Sequence, residues 1–163
     1  MFCKLDHYLK VLYRLSGYVA ATFLIFVAIF ILTGIASRIF GFYIRGLAEY
    51  SGYSMAASSF LALAYTFGEK GHIRITLFLE KANKAIRRFL ELWCLFIATF
   101  FSGFLSYYFI KMLIISIQFG ERSEGADEIY IWIPQITVAI GSTIFFICVL
   151  HNFILLIFKR SNN

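Results

Sequence analysis

The residues able to do chemistry in this chain are few and scattered. Glu49 and Lys111 are ionisable groups at the edge of, or inside, long apolar stretches, and His151 is the one histidine within such a stretch. A charge in apolar surroundings is costly, so it pairs, faces a polar cavity or reaches an interface. Glu49 and Lys111 therefore have two readings. They pair across two helices, or one of them bridges to a partner chain. Alternatively, Lys111 snorkels outward and Glu49 faces water near Arg45, four positions earlier. Neither reading makes them substrate ligands. No two histidines have the i, i+4 spacing of a metal site, so no metal is expected. No Ser/His/Asp, Cys/His or paired-carboxylate arrangement is visible where catalysis needs it, and no enzyme is expected. Cys3, Cys94 and Cys148 lack C-x-x-C or paired spacing and read as small apolar packing residues. No cofactor is expected.

The elements that must position these residues are set by where charge is missing. Of the 163 residues, 61% are hydrophobic and 15% charged, against about a quarter charged in a soluble domain. Arg14 and Arg38 bracket 23 uncharged residues, Glu49 and Glu69 bracket 19, Glu91 and Lys111 bracket 19, and Glu128 and Lys159 bracket 30. A bilayer core needs roughly 20 apolar residues in a helix. The runs predict an all-α membrane protein, a single membrane domain over 1–163 with four transmembrane helices at 15–38, 46–68, 90–118 and 132–158. The first run is too long for a signal-peptide core and has no A-x-A site after it, so it is expected to be a retained helix. Lys111 then lies about 8 residues, roughly 12 Å, from the outer end of helix three. It falls on the same side of the membrane as Glu49.

The charges also predict an orientation. Lys4, Lys10, Arg14, Lys70, Arg74, Lys81, Lys84, Arg87, Arg88, Lys159 and Arg160 are eleven of the fifteen basic residues, and all fall on one side of a four-helix layout. Basic residues concentrate in segments retained in the cytoplasm, so both termini and the segment between helices two and three are expected inside. The loop "GERSEGADEIY" is expected outside. It carries Glu121, Glu124, Asp127 and Glu128 against Arg122 alone. That cluster is either a docking patch for a periplasmic protein, where charge steers encounter, or a solvated loop poor in positive charge. The net charge of +6 describes a preference for the inner membrane surface, with no nucleic-acid partner.

The most charged stretch, "FGEKGHIRITLFLEKANKAIRRFLELW", sits between helices two and three. Phe78, Leu79, Ala82, Ala85, Ile86 and Phe89 fall at i, i+1, i+4, i+7, i+8 and i+11, one helical face. Lys81, Lys84, Arg87 and Arg88 fall on the opposite face. An amphipathic interfacial helix over 76–89 is expected, with its apolar face down and its basic side chains on phospholipid headgroups.

The same stretch carries a likeness. Gly71, His72 and Arg74 in "EKGHIRITLFLE" resemble the G-H-hydrophobic-R signature of the small membrane subunit (the Q component, DctQ-like) of TRAP transporters, the tripartite ATP-independent periplasmic transporters. The order of features is similar over nearly the whole chain: four helices, a motif after the second, a polar outer loop, then "IWIPQ" at the start of helix four with Gly141 beyond. The family often has an acidic residue two positions after the arginine, where this chain has Thr76.

The resemblance implies a scaffold subunit in a bacterial inner membrane. Its partners would be a large sodium-coupled elevator subunit and a periplasmic substrate-binding protein, importing an organic acid such as a dicarboxylate or sialic acid. The overall likeness leans toward a sialic-acid system. The residues suit a passive role, since the helix centres "FLIFVAIF", "SSFLALAY" and "FIATFFSGF" hold no ionisable group. Three other classes each need a feature that the sequence offers poorly or not at all. A haem-bearing membrane anchor of a redox complex needs axial ligands, and only His151 lies within a span. A homo-oligomeric channel needs a continuous polar helix face, and a small membrane enzyme needs the catalytic arrangements missing above.

Overall fold

The computed structural model describes residues 2–70, 84–123 and 128–158. It contains four helices: α1 (Phe2–Ile39), α2 (Leu47–Lys70), α3 (Lys84–Phe119) and α4 (Trp132–Phe158). Apart from an isolated antiparallel bridge between Arg122 and Tyr130, the described residues are helix, turn or irregular chain.

Two boundaries differ from the sequence expectation. α1 begins at Phe2 rather than at residue 15, because nothing between the basic N-terminal residues and the apolar run interrupts its hydrogen-bonding. Charge marks where a helix leaves the apolar layer, and the helix itself continues. α3 likewise begins at Lys84, so 84–89 of the expected interfacial arm joins the third helix without a break. Residues 76–83 of that arm lie outside the described residues. α3 has 36 residues, about 54 Å at 1.5 Å per residue, far more than a hydrocarbon core of roughly 30 Å requires.

The C-terminal ends of α1 and α3 stop in the same way. Gly41 has φ +74 and Gly120 has φ +61, the left-handed conformation that glycine adopts without a Cβ clash. Phe42 N–H then donates to the Ser37 carbonyl at 3.0 Å and Gly41 N–H to Arg38 at 3.4 Å. After α3, Glu121 N–H donates to Ser116 at 3.2 Å and Gly120 N–H to Ile117 at 3.4 Å. Both pairs are Schellman closures that satisfy otherwise orphaned carbonyls. Pro134 is tolerated in the first turn of α4 because its missing N–H has no intrahelical acceptor there.

The helices form a row in the order α1, α2, α4, α3. α2 packs on α1 and on α4, α4 packs on α3, and α1 barely meets α4. Most buried side chains are small: Ala20, Ala57, Ala64, Ala139, Ser54, Ser58, Ser142 and others, with Cys148 and Val149 fully enclosed and Tyr13, Leu61 and Leu95 the large exceptions. Large hydrophobic residues point outward along α1 and α3. Water-soluble cores show the opposite distribution. In lipid no hydrophobic force drives helices together, so close backbone approach through small residues holds them. Each seam also carries a polar contact. Ser58 donates to the Ala20 carbonyl at 2.9 Å between α2 and α1, Cys148 Sγ lies 3.5 Å from the Ala64 carbonyl between α4 and α2, and the Ser106 and Thr143 hydroxyls meet at 3.0 Å between α3 and α4.

Three of the four helices are long and apolar enough to cross a membrane, over Tyr8–Ile39, Arg88–Phe119 and Trp132–Ile157. α2 is the most polar of the four, with Tyr50, Ser51, Tyr53, Ser54, Ser58 and Ser59 in its first half. Its position accounts for that composition. Neighbours flank it on both sides, and Ser51 and Ser59 donate back to the Ala48 and Met55 carbonyls at 2.7 and 2.8 Å.

Candidate functional site

Glu49 stands in the first turn of α2, where its negative charge suits the helix N-terminus. Its carboxylate is turned toward the loop that follows α3. Ser123 Oγ lies 3.4 Å from Glu49 Oε2 and 3.0 Å from the Tyr53 hydroxyl. With the Ser123 proton on the carboxylate, the Tyr53 hydroxyl is the donor to Ser123. The result is a polar chain from Tyr53 through Ser123 to Glu49 that ties the loop after α3 to the start of α2.

The pairing of Glu49 with Lys111 does not occur within this chain. α4 packs between α2 and α3 in the row, and those two helices meet only lightly, with Phe60 edge-on to Phe109 at 5.1 Å between ring centroids. Lys111 is exposed on α3. Neither residue has an ion pair among the described residues.

The described part of the loop between α3 and α4 is a short hairpin. Ser123 N–H donates to the Ile129 carbonyl at 2.7 Å and Ile131 N–H to Glu121 at 3.1 Å. Arg122 Nη1 is 3.6 Å from Glu128 Oε2, its Nη2 donates to the Tyr130 hydroxyl at 3.2 Å, and its guanidinium carbon sits 4.9 Å from the Tyr130 ring centre. Glu121 turns back to α3 and accepts from the Ser116 hydroxyl at 2.9 Å. Glu121, Arg122 and Glu128 thus already engage neighbours in the chain. Glu124 and Asp127 lie outside the described residues, as do Gly71, His72, Arg74 and Lys81. Lys84, Arg87 and Arg88 fall in the first turns of α3, with Arg88 exposed.

Ser123→Ala should release this loop. The hydroxyl links two partners, and its loss is expected to cost about 1 kcal/mol. Amide hydrogen exchange over 121–131 should quicken while exchange in the helices stays as it was. An unchanged loop would show that the backbone hairpin alone holds it.

Two features escaped the sequence reading. Phe89, Trp93 and Phe96 form a ladder of stacked rings on the outside of α3, with centroids 6.3 and 6.1 Å apart. Their i, i+4, i+7 spacing was the available signal. At the end of the row near the N-terminus, a groove of about 470 Å³ is lined by Arg14, Gly17, Tyr18 and Tyr65. Its described lining has no acid, base or nucleophile set that would support a reaction. Cys94 and Cys148 are free thiols, and among the described residues no group of three His, Cys, Asp or Glu side chains could hold a metal.

Four helices, a polar-pinned row of small-residue seams and a tethered loop between α3 and α4 describe this chain, and among the described residues no reaction centre is visible. No curated protein and no solved structure matches the chain. A family profile does match, described as "Tripartite ATP-independent periplasmic transporters, DctQ component", over residues 26–159. That match runs from within α1 to the end of α4. The family is a transporter component and not an enzyme family. The chain belongs to the DctQ component family, the small membrane subunits of TRAP transporters.

Proposed function

We propose that this chain is the scaffold subunit of a TRAP transporter, a static slab against which a large sodium-coupled membrane subunit moves while a periplasmic binding protein supplies an organic acid. A dicarboxylate or sialic acid fits the family, and no residue here selects between them. All four helices cross the inner membrane, with both termini inside. α2 tolerates its serines and tyrosines because helices flank it on both sides. Lys81, Lys84, Arg87 and Arg88 meet anionic headgroups at the inner face.

The observation that carries this reading is the open row. Its seams are filled mostly by alanine, serine and cysteine, and the runs 15–37, 50–68 and 92–110 hold no Asp, Glu, Lys, Arg or His. A carrier of an organic anion needs ionisable groups or broken helices near the bilayer centre, and a slab needs neither.

A flux measurement separates this reading from a channel. Proteoliposomes holding the purified chain alone should release chloride and radiolabelled succinate no faster than empty vesicles of the same lipid. Release that rises with the amount of protein would favour the homo-oligomeric channel and sink the scaffold assignment.

A further inference from the structure

The two ends of the row have free flanks of different chemistry. On α1 the exposed mid-span side chains include Leu24, Ile25, Ile29 and Leu32. The polar groups there are closed on their own helix, with Thr22 donating to the Tyr18 carbonyl at 3.0 Å and Thr33 to Ile29 at 2.7 Å. The exposed tyrosine of that flank, Tyr18, stands one turn from Arg14 at the end of the apolar run, where its hydroxyl reaches the interface, and nothing deeper on the flank asks for a polar neighbour. The flank matches acyl chains.

The free flank of α3 differs. Phe104, Tyr107, Tyr108, Lys111 and Ile115 share one helical face, at spacings of three, four, seven and eleven residues. Tyr107 is 61% and Tyr108 49% exposed, and Lys111 is exposed. Phe104 packs its ring 4.5 Å from that of Tyr108, and Tyr107 stands edge-on to Tyr108 at 5.5 Å. Among the described residues neither tyrosine hydroxyl nor the Lys111 ammonium has a hydrogen-bond or ion-pair partner. A tyrosine is too long to bond back to its own helix as threonine does. Tyr107 and Tyr108 lie about 17 Å, and Lys111 about 12 Å, from the outer end of the helix. Such groups are costly when they face hydrocarbon without partners, whereas tyrosine and a desolvated cation suit a protein interface.

We propose that this flank of α3 is the docking surface for the large membrane subunit. The subunit would present a carboxylate level with Lys111 and carbonyl or hydroxyl acceptors level with the two tyrosines. The inference rests on the scaffold reading and assigns it a face. A second copy of this chain fits less well, because a two-fold axis along the membrane normal would set Lys111 against Lys111 at the same depth. Lipid fits less well too. Its phosphates lie at the interface, and its chains offer no acceptor to the tyrosines.

The test uses the whole complex in its native membranes, with a tag on this chain. Benzoylphenylalanine at Ile115 should cross-link on irradiation to a large polytopic protein, and the same group at Leu24 on α1 should not. Lys111→Glu should lower recovery of that protein about tenfold or more in mild detergent, and Lys111→Arg should preserve it. A cross-link from position 115 to a second copy of this chain would overturn the proposal. So would an intact complex in which only position 24 cross-links, or in which neither does. The cross-linking chains keep Lys111, so the proposal stays exposed to failure even if Lys111→Glu misfolds. If the unmodified chain brings down no large membrane protein at all, the scaffold reading itself fails and takes this inference with it.

Discussion

Gly141→Leu should separate α2 from α4 and leave little folded protein. A Cβ placed on Gly141 would stand 2.9 Å from Phe60 Cβ, 3.0 Å from the Leu61 backbone nitrogen and 3.0 Å from the Phe60 carbonyl carbon. None of these atoms is the far end of a flexible side chain, so the helix axes themselves must move. Alanine at this position should already cost about 1–3 kcal/mol, and leucine more. The seam is central: α2 and α4 are the middle pair of the row, and losing their contact leaves the α1–α2 and α3–α4 pairs without a joint. Gly52 is the control, since a Cβ there meets nothing within 4 Å. Thermal unfolding in detergent should show a large loss for Gly141→Leu and little change for Gly52→Ala. Equal losses at the two positions would mean that the α2–α4 seam does not hold the fold.

The second expected result concerns α2, the helix whose composition leaves its crossing open. If α2 spans, four crossings put both termini on one face. If it does not, three crossings put them on opposite faces. The charge distribution favours the first, because eleven of fifteen basic residues then share the inner side. In a chain with Cys94→Ser and Cys148→Ala, native Cys3 should react with a membrane-impermeant maleimide only after permeabilisation. Asn163→Cys in a chain that also lacks Cys3 should behave the same way. Tyr43→Cys, at an 82% exposed position in the connection between α1 and α2, should react in intact cells. Termini labelled from opposite sides would remove α2 from the membrane and reverse half of the topology. The effect is all-or-none, which makes it hard to misread.

Much of the helical layout could be read from uncharged runs. α4 was legible almost to the residue, because an outer loop with turn residues precedes it and basic residues follow it. The starts of α1 and α3 were not. The runs locate the apolar layer, whereas a helix ends only where its hydrogen-bonding is broken, and no proline or turn interrupts Phe2–Leu15 or Lys84–Leu90. The lateral order of the helices was not legible either. Small residues such as Ala57, Ser58, Ser102 and Gly141 signal close packing, but no single sequence says which helix each will face. For that reason Glu49 and Lys111, opposite in charge, invited a pairing, yet no ion pair joins them among the described residues.

The tether from Ser123 to Glu49 was out of reach for a similar reason. It joins positions 74 residues apart, and neither local spacing nor periodicity marks it. The loop hairpin was nearer to view. Gly120 closes α3, and Arg122, Glu128 and Tyr130 supply a cation, an anion and a ring within nine positions. The stripe from Phe104 to Ile115 was present as a helical spacing, but its significance depends on α3 lying at an end of the row.

The measurement that tests the central claim most directly is purification of the tagged chain from its native membranes in mild detergent, with identification and quantitation of what accompanies it. A scaffold subunit predicts a large polytopic membrane protein in about a one-to-one ratio, since a stable slab and its moving partner form a closed, stoichiometric pair. A chain that emerges alone, or only with copies of itself, would contradict the account.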